Sequence, residues 1–130
     1  AVREYKRLAK LEDIRPYIRG YAPVPEEHFR KFFGERLADS LIKENEDDCL
    51  ARVRPERLGE SWGELRRIIS ELPSEEYLYG LLEMLDAKRD LASIGVEESE
   101  LPVLLKNSPL VRNRLTLMRT RRMMNICEIE

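Results

Sequence analysis

Few residues in this chain have the types and spacing that chemistry needs. His28 is the one histidine, set in PEEHFRKFF. An imidazole can act as a general base or a metal ligand. A zinc site, however, needs a set of converging ligands, and no second histidine or paired cysteine accompanies His28. A structural, solvent-exposed role is expected for it. Cys49 and Cys127 are far apart and form no CxxC. That spacing argues against a disulfide scaffold and suits a reducing compartment. Acid runs occur at Glu44 to Asp48 and at Glu97 to Glu100. A calcium loop needs oxygens at alternating positions around a central glycine, and NEDDCLARVRPE has no glycine at its sixth position. Both runs read as solvated helix ends. Arg112, Arg114, Arg119, Arg121 and Arg122 cluster late, with no acid between Val111 and Asn125. Such a patch could hold nucleic-acid phosphates, but no aromatic residue interleaves it for base stacking. Pairing with carboxylates of the same domain, or of a neighbour, is the expected use. There is no GxGxxG, no GxxxxGK[ST] and no GxSxG. No catalytic, cofactor-binding or metal-binding residue is therefore assigned.

The elements that would carry these residues read as helices. Val2, Tyr5, Leu8, Ala9 and Leu11 have helical spacing. Pro16, Gly20, Pro23 and Pro25 then impose a loop with at most one turn of helix. Pro25, followed by Glu26 and Glu27, suits the start of a helix that carries Phe29, Phe32 and Phe33 and stops near Gly34. Leu37, Leu41 and Ile42 continue the pattern until ENEDD interrupts it. Leu58, Trp62, Leu65, Ile69 and Leu72 step by four, three, four and three, which predicts one helix with Trp62 buried. Ser74 is a good N-cap for the next helix, whose expected apolar face is Tyr77, Leu78, Leu81, Leu82 and Leu85. The tyrosines in general are expected in the core. DLASIG reads as a short turn closed by Gly95. A helix over Glu97 to Lys106 places Leu101, Leu104 and Leu105 inward, with Pro102 tolerated in its first turn. A last helix is expected from Leu110 to Met124. No segment alternates like a strand.

The chain has 130 residues, 42% hydrophobic and 37% charged, and a net charge of −2. The charged share exceeds the usual ~25% and suits helices with one apolar stripe and a salted outer face. The balance gives no global field toward nucleic acid or membrane. No apolar run approaches a membrane span, and AVREYKRLAK lacks the apolar region of a secretory signal. The expectation is one all-α domain over residues 1–130, a compact bundle of six or seven helices, cytoplasmic. The chain opens at Ala1 inside a charged amphipathic stretch. That start fits a piece of a longer protein, or a native chain trimmed of its initiator methionine.

One stretch goes further. IGVEESELPVLLKNSPLVRNRLTLMR, Ile94 to Arg119, resembles the C-terminal motif of the sn-glycerol-1-phosphate dehydrogenase family. Gly95-Val96, Ser108-Pro109 and Arg112-x-Arg114-x-Thr116 stand where that family has a Gly-Ile/Val turn, an Ala/Ser-Pro step and Arg-x-Arg-aromatic-Thr. Leu115 takes the place of the aromatic. Upstream, Trp62 and ELPSEEYLYGLLEMLDAK are similar to the family's Trp-containing helix, its Leu-Pro-Ser step and the helix after it. FFGERLADSLIKEN resembles its Phe-Gly segment. These pieces occur in the family's order along most of the chain.

The resemblance implies the C-terminal helical part of a two-domain oxidoreductase related to 3-dehydroquinate synthase. A separate N-terminal domain would bind NAD(P), and zinc or iron would sit on an Asp and two His. None of these ligands is matched here, so no cofactor is expected in this chain and no activity from it alone. The implied substrate is of the glycerol phosphate or dihydroxyacetone phosphate class, and a homo-oligomer is compatible. Two other readings stay open: an independent helical interaction module, and a small nucleic-acid-binding regulatory domain. Arg112 and Arg114, if helical, point about 200° apart. At least one is expected to clamp a carboxylate or helix-end carbonyls.

Overall fold

The computed structural model describes residues 1–125. Among them are eight α-helices and no strand. They are α1 (Val2–Leu8), α2 (Glu26–Phe33), α3 (Glu35–Glu44), α4 (Pro55–Glu60), α5 (Trp62–Ser70), α6 (Glu75–Met84), α7 (Leu101–Asn107) and α8 (Leu117–Thr120). Short 3-10 helices join several of them. The all-α expectation is met.

Local chemistry explains many of the boundaries. Ser74 Oγ accepts from the Tyr77 N–H at 3.1 Å and caps α6. Pro102 lies in the first turn of α7, where its missing N–H costs no helical bond. Gly34 closes α2 with φ 75°, and Gly95 closes the 3-10 turn Ala92–Ile94 with φ 74°. Both conformations favour glycine, which has no Cβ to clash. The Leu58-to-Leu72 stripe is two helices, not one. Ser61 ends α4 and starts α5, between two poor helix formers, Gly59 and Gly63. Gly59 also lets the Arg15 side chain lie close: a Cβ there would stand 2.7 Å from Arg15 Cγ.

Two apolar clusters hold the fold. The first joins Leu8, Ile14, Leu58, Trp62 and Met124. Trp62 is 2% exposed and its Nε1–H donates to the Leu11 carbonyl at 2.9 Å. This meets the expectation from its stripe. The second cluster packs Phe29 and Ala38, from α2 and α3, against Leu110. The segment around Met124 lies antiparallel to the Pro-rich loop. Arg19 N–H donates to the Met123 carbonyl at 2.6 Å and Asn125 N–H to the Tyr17 carbonyl at 2.8 Å.

Three further expectations fail. The stretch from Leu110 to Met124 is not one helix: a 3-10 turn ends at Val111, extended backbone follows, and α8 starts only at Leu117. The apolar face of α6 is not core. No α6 residue is buried, Tyr77 is 59% exposed and Tyr79 is also exposed. Leu78, Leu81 and Leu82 are half-buried and Leu85 is exposed, so the stripe specified a helix that is only partly covered. In α7, Leu101 and Leu105 are half-buried while Leu104 stays exposed.

Candidate functional site

Among the described residues, the one buried cluster of charges centres on Asp48. It follows α3 and caps the 3-10 helix Cys49–Arg52, accepting from the Leu50 N–H at 3.0 Å. Asp48 is 6% exposed and Arg119 is fully buried. Asp48 Oδ1 accepts from Arg119 Nε at 3.2 Å and Nη2 at 2.9 Å. Its Oδ2 accepts from Arg122 Nη1 at 2.7 Å. The rest of the Arg119 guanidinium is also engaged. Nη1 donates to the carbonyls of Pro109 and Arg112 at 2.7 and 3.0 Å, and Nη2 to Asn45 Oδ1 at 2.5 Å. Arg122 Nη2 donates to the Ala22 carbonyl at 3.1 Å. One guanidinium thus ties the end of α3, the turn before Arg112 and α8 together.

Burial alone would raise the Asp48 carboxyl. The Leu50 N–H and the Arg122 and Arg119 guanidinia outweigh it, and hold the group below the usual carboxylate range. Burial and the Asp48 charge push the neighbouring Tyr21 phenol up, against the two arginines. With both oxygens already accepting from donors, Asp48 has little left to offer a substrate, a proton or a metal. The chemistry of this cluster is structural: it is a buried ionic clamp.

Asp48 overturns its expected place on a solvated helix end. The clamp arginine also differs from the expected ones. Arg112 and Arg114 are exposed, and neither guanidinium has a partner among the described residues. The helical geometry assumed for them is absent, because Arg112 is extended at φ −139°, ψ 133°. Asn113 between them is tied down instead. Its N–H donates to Glu44 Oε1 at 3.0 Å, its Nδ2 to the Asp47 carbonyl at 2.7 Å, and its Oδ1 accepts from Cys49 N–H at 2.9 Å. The late arginines therefore do not form one patch. Arg119 and Arg122 turn to Asp48, and Arg121 pairs with Glu4 at 3.3 Å, as local charge pairing predicts.

His28 is half-buried rather than solvent-exposed. Its Nε2 lies 2.5 Å from Asn107 Oδ1. Asn107 Nδ2 donates to the Val103 carbonyl at 2.8 Å, so Oδ1 is the acceptor and Nε2 carries the proton. The imidazole links α2 to α7 and stacks on Phe32. These contacts are structural, and the half-buried setting differs from the solvent-exposed one expected. Cys49 is a half-buried free thiol; Cys127 lies outside the described residues.

A cleft of about 500 Å³ opens beside the clamp, floored by Val24, Phe29 and Ile42 and edged by Tyr21, Asn45 and Asp48. A larger groove of about 830 Å³ runs between α1, α6 and α7, with Val2, Leu78, Leu82, Ile94, Leu101 and Leu105 on its walls. Among the described residues no three His, Cys, Asp or Glu side chains converge as metal ligands. The residues present therefore do not fit the zinc or iron that the resemblance implies. Nor is any helix among them long and apolar enough to cross a membrane. No family model, curated protein or solved structure matches the chain.

Proposed function

We propose that the chain is the C-terminal helical segment of an NAD(P)- and metal-dependent oxidoreductase resembling sn-glycerol-1-phosphate dehydrogenase. The observation that carries this reading is the structural use of the resembled motif. Gly95 takes the left-handed conformation that closes the turn Ala92–Ile94. Pro109 and Arg112 offer their carbonyls to buried Arg119. Thr116 caps α8, its Oγ1 accepting from the Arg119 N–H at 3.1 Å. Pro109 and Arg112 through their carbonyls, and Thr116 through its hydroxyl, help build this end of the domain, while the Arg112 and Arg114 side chains and Leu115 stay exposed. The all-helical fold agrees with the helical half of such an enzyme.

On this reading the nucleotide and the metal belong to residues outside those described, and the described segment is a scaffold. The test is the polypeptide encoded by the complete reading frame, loaded with zinc or iron. It is assayed for NAD(P)H-dependent reduction of dihydroxyacetone phosphate. Turnover supports the proposal. A loaded, folded protein with no turnover, or a frame lacking a glycine-rich nucleotide loop and a His-Gly ligand motif, overturns it. The second reading, a helical interaction module, is favoured by one observation: α6 buries no residue of its own.

A further inference from the structure

Lys6, in the last turn of α1, and Lys10, just past it, form one wall of a groove of about 520 Å³. Arg66, Arg67 and Ser70 of α5 form the other. Among the described residues no acid lines this groove, although the chain as a whole carries −2. The cleft beside the clamp and the groove between α1, α6 and α7 both have acids in their walls. Arg67 is occupied, since it holds Glu64 and Glu71. The other three cations are not. Arg66 Nε donates to the Ala9 carbonyl at 2.9 Å, which ties the guanidinium to the end of α1 and leaves both Nη groups without a partner among the described residues. Neither lysine has an ion pair there. Lys6 acts on Glu76 only as the smallest of the influences that hold that carboxyl low, behind its own backbone N–H and Ser74. Like charges gathered on one groove repel each other, and nothing in its walls offsets them. Gly63 also lies along the groove, and a Cβ there would meet nothing within 4 Å, so the space over the helix backbone is open.

We infer that this groove binds a phosphate-rich small anion, one with two or more linked phosphoryl groups. Lys6 and Lys10 supply point charges on flexible stems, and the Arg66 fork supplies paired N–H donors for phosphoryl oxygens. A single phosphate monoester carries about −1.5 to −2, too little for three cations. Linked phosphates match them and reach from the α1 wall to the α5 wall. Among the described residues no aromatic ring lines the groove, so it lacks a stacking platform for nucleic-acid bases. The groove is open to solvent, which keeps binding modest and sensitive to salt. The site is independent of the dehydrogenase reading, which places the nucleotide on residues outside those described.

Isothermal titration calorimetry of the whole chain with pyrophosphate tests this, at low and at high ionic strength. The expected result is saturable one-to-one binding that weakens as salt rises and is tighter than binding of inorganic phosphate. Lys6→Gln with Lys10→Gln weakens it about tenfold or more, through the loss of two charge-assisted contacts. Lys31→Gln with Lys106→Gln makes the same change of net charge at exposed positions elsewhere, and leaves the affinity within about twofold. Gly63→Glu sets an acid in the open floor and also weakens binding; it replaces the Lys6 and Lys10 variant if that one does not melt cooperatively. No saturable binding at low salt, an affinity no higher than that for inorganic phosphate, or equal losses from the two lysine pairs overturns the inference. So does tight binding of a short DNA duplex by a chain that ignores pyrophosphate.

Discussion

Replacing Asp48 with alanine removes the one carboxylate among the described residues that faces buried Arg119 and nearly buried Arg122. The change leaves a cation enclosed without a counter-charge. Breaking a buried ion pair by deleting one partner costs about 3–5 kcal/mol. Losing the cap on the Leu50 N–H adds about 1 kcal/mol. For a domain between the small and medium size classes, each kcal/mol moves the melting temperature by about 3–4 °C, so the fall is on the order of 15 °C. Circular dichroism melts at neutral pH read it directly. The companion variant is Asp48→Ala with Arg119→Met, which removes both charges and keeps apolar bulk. It recovers much of the loss, since the damage in the single variant comes from the orphaned guanidinium. The pH dependence has a definite sign. The Asp48 carboxyl titrates below its unfolded value, so its stabilisation is fully present above about pH 4 and disappears as pH falls through the lower folded value. Asp48→Ala lacks that component, and its melting temperature falls less steeply in acid than the parent's. A single variant that melts within about 3 °C of the parent at neutral pH, or a double variant as damaged as the single, refutes the clamp.

Trp62→Ala costs about 3–5 kcal/mol, and native fluorescence shows the blue-shifted emission of a buried indole; emission at the position of free tryptophan rejects its place in the first cluster. Gly95→Ala costs about 1 kcal/mol because alanine is strained at positive φ, and urea unfolding with an unchanged slope measures it. Arg112→Lys and Arg114→Lys change stability by less than about 0.5 kcal/mol, as surface substitutions do; a clear fall in melting temperature for either one shows a hidden contact.

Local punctuation was legible and long-range pairing was not. Ser74, Pro102 and Gly95 each act through their own residue's backbone or side chain, so their positions could be read from type and order. Trp62 was legible because a four-three stripe fixes which side of a helix turns inward. Asp48 was hidden, because ENEDD has the composition of a solvated patch. Only the approach of Arg119, 71 positions away, makes its last residue a buried one. The extended run after Val111 was missed for a related reason. Asn113 finds its partners at Glu44, Asp47 and Cys49, and those bonds compete with the helix that the apolar spacing suggests. The α6 face misled in the opposite way. Periodicity reports which residues share a side, and says nothing about whether another element lies against it.

The place of Arg119 in chain order constrains how the molecule can be made. The ribosome delivers residues from the N-terminus, at about 5–20 per second. The Asp48 carboxylate therefore emerges well before either of its cations. Until Arg119 and Arg122 follow, it must remain hydrated, and the end of α3 cannot close down on it. Met124, which completes the first apolar cluster, arrives later still. Early segments can form helices as they appear, but the ionic centre and the first cluster can only lock after residues 117–124 have been added. Contacts of such high sequence separation slow folding. During this interval the half-made chain exposes apolar surface that the finished protein hides, and a chaperone has the most to hold.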